Sequence, residues 1–236
     1  MTDKRLTLVT GASQGIGRAA AVALARRGDT VIAVARSKNA LESLDDEIKA
    51  QGGSAVLVPM DLKDGKGIDA LGGVLAERYG RLDALIGNAG ILGTLGPLQT
   101  VRPRSFEETI AVNLTANWRL IRSLDPLLRL GHDPRAVFVS SGVVVRPRAF
   151  WGPYQASKAG LEAMVAAWAD ECERSPVRIN VFDPGATATT MRADAMPGED
   201  PSTLPTPEEV AEQLVALTAT SETRHGARVV FRQPSP

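Results

Sequence analysis

Residues 6–17, with the sequence LTLVTGASQGIG, decide the fold of this chain. A short strand-forming run leads into three glycines spaced Gly-x3-Gly-x-Gly, and an alanine-rich helical pattern follows over 19–25. Glycine permits a tight turn and a close approach of the backbone, while a helix N-terminus offers free N–H groups and a partial positive charge. A strand, a glycine turn and a helix in this order predict a turn that binds the phosphates of a dinucleotide.

The rest of the chain repeats this alternation of short apolar runs and longer helical patterns. The apolar runs are Leu6 to Val9, Val31 to Ala35, Ala55 to Val58, Ala84 to Ile86, Val137 to Val139, Ile179 to Phe182 and Val229 to Phe231. The helical patterns lie near 16–27, 39–51, 66–79, 104–130, 154–174 and 207–219. Strands that are apolar throughout and separated by helices indicate a parallel sheet covered on both faces. We therefore predict an α/β protein: a single Rossmann-fold domain over 1–236, with a doubly wound, seven-stranded parallel sheet and helices on both faces.

The least regular stretch, 184–206, is rich in Pro, Gly and Asp and follows the sixth predicted strand. It ends at Thr206-Pro207, a pair typical of the N-cap and first position of a helix. A long insertion at the carboxyl ends of parallel strands is usually functional, so we predict a lid or substrate loop here. An ordinary surface loop is the alternative.

Composition excludes several classes of function. The 236 residues include 27 Lys and Arg and 27 Asp and Glu, and a net charge of zero argues against a nucleic-acid partner and against docking on anionic membranes. No apolar run approaches the ~20 residues of a membrane span. Cys172 is the only cysteine, so no internal disulfide can form, and without an export signal the expected location is the cytoplasm. His132 and His225 have no second ligand at metal spacing, so no metal site is expected.

The pair Tyr154-x3-Lys158 places a phenol and an ammonium on one face of a helix. Ser141 ends the apolar run that precedes them. A phenol has a pKa near ~10, so it transfers protons at neutral pH only where a nearby positive charge favours the phenolate. Alone, each residue could serve packing or a helix start. Together with a dinucleotide turn, they predict hydride exchange between a nicotinamide and an alcohol or ketone.

The glycine spacing and the Tyr154-x3-Lys158 pair resemble the short-chain dehydrogenase/reductase family, in its short single-domain branch. Three further motifs match the family in the correct order: Gly87-Asn88-Ala89-Gly90, where the family has Asn-Asn-Ala-Gly, then Asn113, then Pro184-Gly185-x3-Thr189. The resemblance covers nearly the whole chain. The segments 151–154 and 191–201 also resemble a bacterial subgroup of the family whose members are mostly uncharacterised.

This resemblance implies a role for each catalytic candidate. Tyr154 would donate a proton to the carbonyl oxygen during reduction and accept one during oxidation. Lys158 would hold the ribose hydroxyls of the nicotinamide and favour the phenolate. Ser141, which has the family distance to Tyr154 where Ser140 does not, would hydrogen-bond the substrate oxygen. Asn113 would hold a water that links Lys158 to bulk solvent.

The second predicted strand ends at Ala35-Arg36, where an NAD enzyme usually carries an acid for the ribose 2′-hydroxyl. An arginine can accept a 2′-phosphate, so NADP(H) is favoured and NAD(H) is the alternative. Gln14 weighs against this choice, because many NADP-preferring members carry a basic residue there. Asp61 matches the family position at the adenine ring, or it only caps a loop. By resemblance, the cofactor-binding residues are Gly11, Ser13, Gln14, Gly15, Ile16, Gly17, Arg36, Asp61, Leu62, Asn88, Ala89, Gly90, Tyr154, Lys158, Pro184, Gly185, Thr187 and Thr189.

The segment 142–153 should border a small-molecule carbonyl or alcohol substrate. The expected substrate contacts are Val143, Phe150, Trp151 and Met191. Large apolar side chains in this set could wall an apolar pocket. Arg146 and Arg148 in the same segment would bind an acidic group of the substrate or would face solvent.

The helical patterns at 104–130 and 154–174 are apolar on more than one face. A core face explains part of this surface, and the remainder predicts a homodimer or homotetramer, because the family pairs these helices between subunits.

A second class of function is a cofactor-sensing regulatory or scaffold protein that binds a dinucleotide without turnover. Such sensors usually lose one member of the Ser, Tyr and Lys set. Because Ser141, Tyr154 and Lys158 are all present, an oxidoreductase is favoured.

Overall fold

Residues 4–232 are described by a computed structural model, and residues 1–3 and 233–236 of the predicted domain lie outside this range. The strands are β1 (Leu6–Thr10), β2 (Thr30–Ala35), β3 (Ser54–Pro59), β4 (Ala84–Gly87), β5 (Arg135–Val139), β6 (Arg178–Asp183) and β7 (Arg228–Val230). They form one parallel sheet in the order β3-β2-β1-β4-β5-β6-β7. The predicted seven-stranded, doubly wound sheet is confirmed.

Helices cover both faces of this sheet, as predicted. They are α1 (Gly15–Arg27), α2 (Lys38–Ala50), α3 (Gly65–Tyr79), α4 (Pro103–Ile110), α5 (Ala116–Leu128), α6 (Gly152–Glu171), α7 (Thr190–Ala195) and α8 (Pro207–Ala216). Helices α3, α5 and α6 contribute to one apolar core, and α1, α2 and α8 contribute to the other. Neighbouring strand residues alternate between them: Leu8 packs in the first core and Val9 in the second. Since side chains point to opposite faces in turn, a strand covered on both faces is apolar at most of its positions.

The order of the strands positions the site. β1 pairs with β2 on one side and with β4 on the other, so the connections run in opposite directions from this point. In open α/β sheets a ligand binds in the crevice that opens there, at the carboxyl ends of the strands. The glycine turn leaves β1 at this crevice.

Two local features differ from the sequence prediction. The stretch 184–206 contains α7, which begins after Thr189, whose side chain accepts a hydrogen bond from the N–H of Arg192 at 3.2 Å. The helix expected over 104–130 is divided into α4 and α5 by a π-helical turn at Ala111–Thr115. By contrast, α8 starts as predicted, with Thr206 and Glu209 forming a reciprocal capping box.

The apolar side chains of 104–130 and 154–174 were the basis for predicting subunit pairing, and most of them are buried in the core. Ile121, Leu124 and Leu161 are buried, whereas Trp118 on α5 is 45% exposed and Phe106 on α4 is 39% exposed. Pairing of chains through these helices stays a prediction. Within residues 4–232, no helix has the length and apolar character needed to cross a bilayer.

Candidate active site

The glycine turn forms a cradle at the start of α1. Gly11 (φ 67°) and Gly15 (φ 53°) adopt left-handed backbone, which side chains with a Cβ rarely tolerate. A Cβ on Gly17 would lie 2.2 Å from the carbonyl oxygen of Gly11. The first turn of α1 carries no acidic side chain, and Gln14 at its N-cap makes no side-chain hydrogen bond there. The partial positive charge of the helix terminus is therefore left for a ligand, and the residues fit a dinucleotide pyrophosphate.

Thr10 ties this turn to the loop after β4. Its hydroxyl accepts hydrogen bonds from the N–H groups of Asn88, at 3.0 Å, and Ala89, at 3.1 Å. The Asn88 side-chain amide donates back to the carbonyl oxygen of Thr10 at 3.0 Å. The predicted motif Asn88-Ala89-Gly90 thus packs against the glycine turn. The sequence motifs predict no site role for Thr10, although its hydroxyl stands directly before the first glycine of the turn.

One groove runs along the carboxyl ends of the strands and contains most of the predicted site. Its lining includes the predicted residues Gly11, Ser13, Gln14, Gly15, Ile16, Arg36, Asp61, Leu62, Asn88, Ala89, Gly90, Tyr154, Lys158, Pro184, Thr189 and Met191. Other predicted residues do not line it: Gly17, Asn113, Ser141, Val143, Phe150, Trp151, Gly185 and Thr187. The lining also includes residues that had no predicted site role: Val34, Ala35, Met60, Ile91, Val112, Val139, Ser140 and Thr190.

Tyr154 and Lys158 project from α6 into the groove and are 7% and 3% exposed. The Lys158 ammonium lies 5.9 Å from the centre of the Tyr154 ring and donates a hydrogen bond to the carbonyl oxygen of Val139 at 2.8 Å. Burial lowers the pKa of Lys158 to about 8, and the Glu162 carboxylate opposes this shift. Burial also raises the pKa of Tyr154 to about 12. Desolvation of the phenolate is therefore the largest influence on the Tyr154 pKa, and the expected lowering by Lys158 is not among its causes.

Ser141 lies next to this pair, at the end of β5. Its hydroxyl makes a hydrogen bond to the Tyr154 phenol, which opposes the burial effect on the tyrosine pKa, while the negative charge of Asp183 adds to that effect. Its oxygen also accepts the N–H of Val143 at 3.5 Å. The neighbouring Ser140 instead donates to Glu162 at 2.5 Å. Of the two serines, only Ser141 directs its hydroxyl to the tyrosine.

Asn113 lies in the π-helical turn and is fully buried. Its Oδ1 accepts the N–H of Ile91 at 2.8 Å, and its Nδ2 donates to the carbonyl oxygen of Ile91 at 2.9 Å and to Ser157 Oγ at 2.9 Å. The side chain therefore holds the loop after β4 against α6. Asn113 also approaches Lys158: a Cβ on Gly90 would be 3.3 Å from Asn113 Oδ1 and 3.5 Å from Lys158 Nζ.

The segment predicted to border the substrate contains strained backbone. Phe150 has φ 73° and is 58% exposed, and its carbonyl oxygen accepts the N–H of Gly96 at 2.9 Å. Trp151 contacts the Tyr154 ring edge to face, with centroids 5.9 Å apart. A non-glycine residue with this φ is uncommon and costs energy, and such positions cluster at functional sites.

Arg36 lines the groove just beyond the end of β2 and is exposed. Within residues 4–232 its guanidinium makes no ion pair or side-chain hydrogen bond. The neighbouring Ser37 side chain caps α2 by accepting the N–H of Ala40 at 3.2 Å. Asp61 accepts the N–H of Lys63 at 2.9 Å, so it caps its loop as well as lining the groove.

Neither His132 nor His225 lines the groove. His225 accepts the N–H of Ile179 through Nδ1 at 3.2 Å and bonds the carbonyl oxygen of Ala169 through Nε2 at 2.8 Å. In the described part of the chain, no three His, Cys, Asp or Glu side chains are grouped so that they could hold a metal ion.

A glycine cradle at the switch point, joined to a Tyr, Lys and Ser set on α6 and β5, defines a dinucleotide-dependent oxidoreductase of the doubly wound class. The family model for short chain dehydrogenases matches residues 5–200. The chain belongs to this family and is an oxidoreductase that acts on alcohol and carbonyl groups.

Individual relatives agree with this assignment. The uncharacterized oxidoreductase YciK of Escherichia coli strain K12 is 35% identical over 237 residues, which cover 99% of this chain and 94% of the relative. Fatty acyl-CoA reductase Rv0547c of Mycobacterium tuberculosis is 35% identical over 232 residues, covering 97% and 78%. The solved structure of a short chain dehydrogenase of Escherichia coli CFT073 complexed with NADPH has a TM-score of 0.90 and 36% identity, covering 97% and 96%.

Proposed function

We propose that this protein is an NADPH-preferring reductase of small-molecule carbonyl compounds, with Tyr154 as the general acid. One observation carries the proposal: Tyr154 and Lys158 line the same groove as the glycine cradle, and the Ser141 hydroxyl bonds the phenol. Substrate and nucleotide would therefore meet at a buried proton donor.

A bound nicotinamide supplies the hydride in this chemistry, and the protein must supply the proton. A phenol with a pKa of about 12 is protonated at neutral pH, so Tyr154 can donate to a carbonyl oxygen without prior ionisation. Ser141 would bond the same oxygen and stabilise its developing charge. The reverse reaction needs the phenolate, and at pH 7 forming it would cost about 7 kcal/mol from a pKa near 12. Before nucleotide and substrate bind, Tyr154 is therefore in the protonated form that reduction needs.

Lys158 would serve in two ways. Its pKa of about 8 leaves it mainly as an ammonium at neutral pH, so it can donate to the ribose hydroxyls. Its bond to Val139 fixes the direction of that ammonium. A positive charge beside the phenol also stabilises the phenolate left after proton donation. Asn113 would support both roles by holding the loop after β4 next to Lys158.

The NADPH preference rests on Arg36. A free guanidinium in the groove, at the end of β2, can bond a 2′-phosphate with two N–H groups. The related dehydrogenase complexed with NADPH supports this choice.

The stretch 184–206 would act as a lid over substrate and nucleotide. Met191 of α7 lines the groove, and the ion pair between Arg192 and Glu199, at 2.5 Å, joins the two halves of the stretch. Because Arg192 and Glu199 hold each other, α7 and the segment after it would move as one unit.

A carbonyl panel tests the function. NADPH and NADH binding are measured by titration, and absorbance at 340 nm then follows oxidation of each with acetoacetyl-coenzyme A, palmitoyl-coenzyme A and 9,10-phenanthrenequinone. The thioesters follow from the name of the related fatty acyl-CoA reductase. Turnover that is lost in Tyr154→Phe while NADPH binding is kept supports the proposal. Turnover that survives in Tyr154→Phe contradicts it, and tight binding with no turnover on the panel favours a cofactor sensor.

A further inference from the structure

Arg228 on β7 bonds three elements around the candidate serine. Its Nη2 donates to the carbonyl oxygen of Ser141 at 3.3 Å and to Asp183 Oδ2 at 2.8 Å. Its Nε donates to Glu162 Oε1 at 3.1 Å. One guanidinium therefore joins the end of β5, the end of β6 and helix α6. A planar fork of donors can hold several acceptors in fixed relative directions, which a lysine ammonium cannot do.

The two residues before Ser141 are held in a similar way. Ser140 Oγ donates to Glu162 Oε1 at 2.5 Å, and Lys158 Nζ donates to the carbonyl oxygen of Val139 at 2.8 Å. Glu162 follows Lys158 by one helical turn, so both side chains face β5. Each residue from 139 to 141 is thus fixed by a charged side chain from another element.

These charges lie largely out of water. Asp183 is 4% exposed, and the side chains of Glu162 and Arg228 are 17% and 26% exposed. Buried ion pairs often stabilise a fold no better than apolar side chains of similar volume would. Their placement against the main chain of Ser141 points to a role in the site.

We propose that Arg228 is a positioning residue for the reaction, which rests on the function proposed above. By holding the Ser141 main chain, with Glu162 as its second anchor, Arg228 keeps the Ser141 hydroxyl directed at the Tyr154 phenol. Loss of this hold weakens the bond between serine and tyrosine and slows proton transfer. The glycine cradle and Arg36 are not touched, so NADPH binding is kept.

A double-mutant cycle tests whether Arg228 acts through Ser141. Arg228→Lys keeps a positive charge beside Asp183 but cannot span the three acceptors. On whichever panel compound the wild type reduces fastest, we expect Arg228→Lys to lower kcat by about tenfold or more, with KM and the NADPH Kd within about threefold. In a Ser141→Ala background the same change should cause little further loss. The matched control is Arg224→Lys, because Arg224 is half exposed and pairs with Glu222.

A second readout needs no substrate. The chain has two tyrosines, so Tyr79→Phe leaves Tyr154 alone. Labelling with 3-fluorotyrosine lowers the phenol pKa, and ¹⁹F NMR then follows its titration. The groups that face this phenol include Ser141, Lys158 on its own helix and Asp183 at the end of β6. Since the Ser141 bond lowers the tyrosine pKa, Arg228→Lys should raise the midpoint in the same direction as Ser141→Ala.

The two readouts decide the proposal together. Arg228→Lys that behaves like wild type in both, or an effect of full size that persists in Ser141→Ala, overturns it. Turnover that survives in Tyr154→Phe would remove the proposed function instead. In that case the ¹⁹F titration would still decide whether Arg228 acts on the bond between serine and tyrosine, so the two failures are distinguishable.

Discussion

Arg36→Ala should change cofactor preference without changing the chemistry. Arg36 lines the groove, and within the described residues its removal breaks no ion pair or side-chain hydrogen bond. The loss is then confined to the bonds it would make with a 2′-phosphate. Charge-assisted hydrogen bonds contribute about 1.5–3 kcal/mol, which is roughly a 10- to 150-fold weaker NADPH Kd. NADH lacks that phosphate, so its Kd should stay within about twofold.

Fluorescence titration with both nucleotides measures this ratio. Lys38→Ala is the matched control, because Lys38 carries the same charge two residues further on and pairs with Glu42 on the surface of α2. It should weaken NADPH only slightly, by a long-range effect that salt screens. The reasoning is refuted if Arg36→Ala weakens NADPH and NADH equally, or if Lys38→Ala matches Arg36→Ala.

Three further outcomes are expected. Gly17→Ala forces a Cβ against the carbonyl oxygen of Gly11, so it should lower the free energy of unfolding by about 1–3 kcal/mol and weaken NADPH binding. Gly73→Ala is the control, because Gly73 lies in open space on α3, and it should raise the free energy of unfolding by about 0.5–1 kcal/mol. Chemical denaturation measures both changes. Asn113→Ala removes three buried hydrogen bonds and should lower the free energy of unfolding by about 2–4 kcal/mol in urea melts, and a smaller loss would contradict the assigned bonds. Lys158→Met should be more stable than wild type by about 2–3 kcal/mol below pH 8, after allowance for its lost bond. Between the folded pKa of about 8 and the unfolded value of 10.5, Lys158 is protonated in the unfolded chain but not in the folded chain. The stability of wild type therefore rises with pH in this window, and the stability difference between Lys158→Met and wild type should shrink. A stability difference that does not depend on pH would refute the lowered pKa of Lys158.

Local sequence patterns predict the sheet because most of its strands are buried on both faces and are therefore mostly apolar. Strand β1 buries Leu8 on one side and Val9 on the other, and a mostly apolar run of this length is typical of a strand covered on both faces. The glycine turn was equally readable, because Gly11 and Gly15 adopt backbone that few other residues accept.

Features that depend on distant contacts were not predicted from the sequence. The π-helical turn around Asn113 has no local pattern, and it accompanies bonds from Asn113 to Ile91, which lies 22 residues away. Arg228 bonds Ser141, which lies 87 residues earlier in the chain. It lies in a three-residue strand, and so short a strand carries no pattern that predicts its neighbours in the fold. Glu162 could have been found, since it follows Lys158 at helical spacing. Helix α7 is only six residues long, too short for a periodic apolar pattern to show.

A single-turnover experiment tests the central claim most directly. NADPH bound to excess enzyme is mixed with the panel compound that wild type reduces fastest, and its decay at 340 nm is compared between wild type and Tyr154→Phe. Removal of the general acid should slow the decay by about 10²–10⁴-fold, while the NADPH Kd stays within about threefold. Decay at the wild-type rate in Tyr154→Phe, with NADPH fully bound, would show that another group donates the proton.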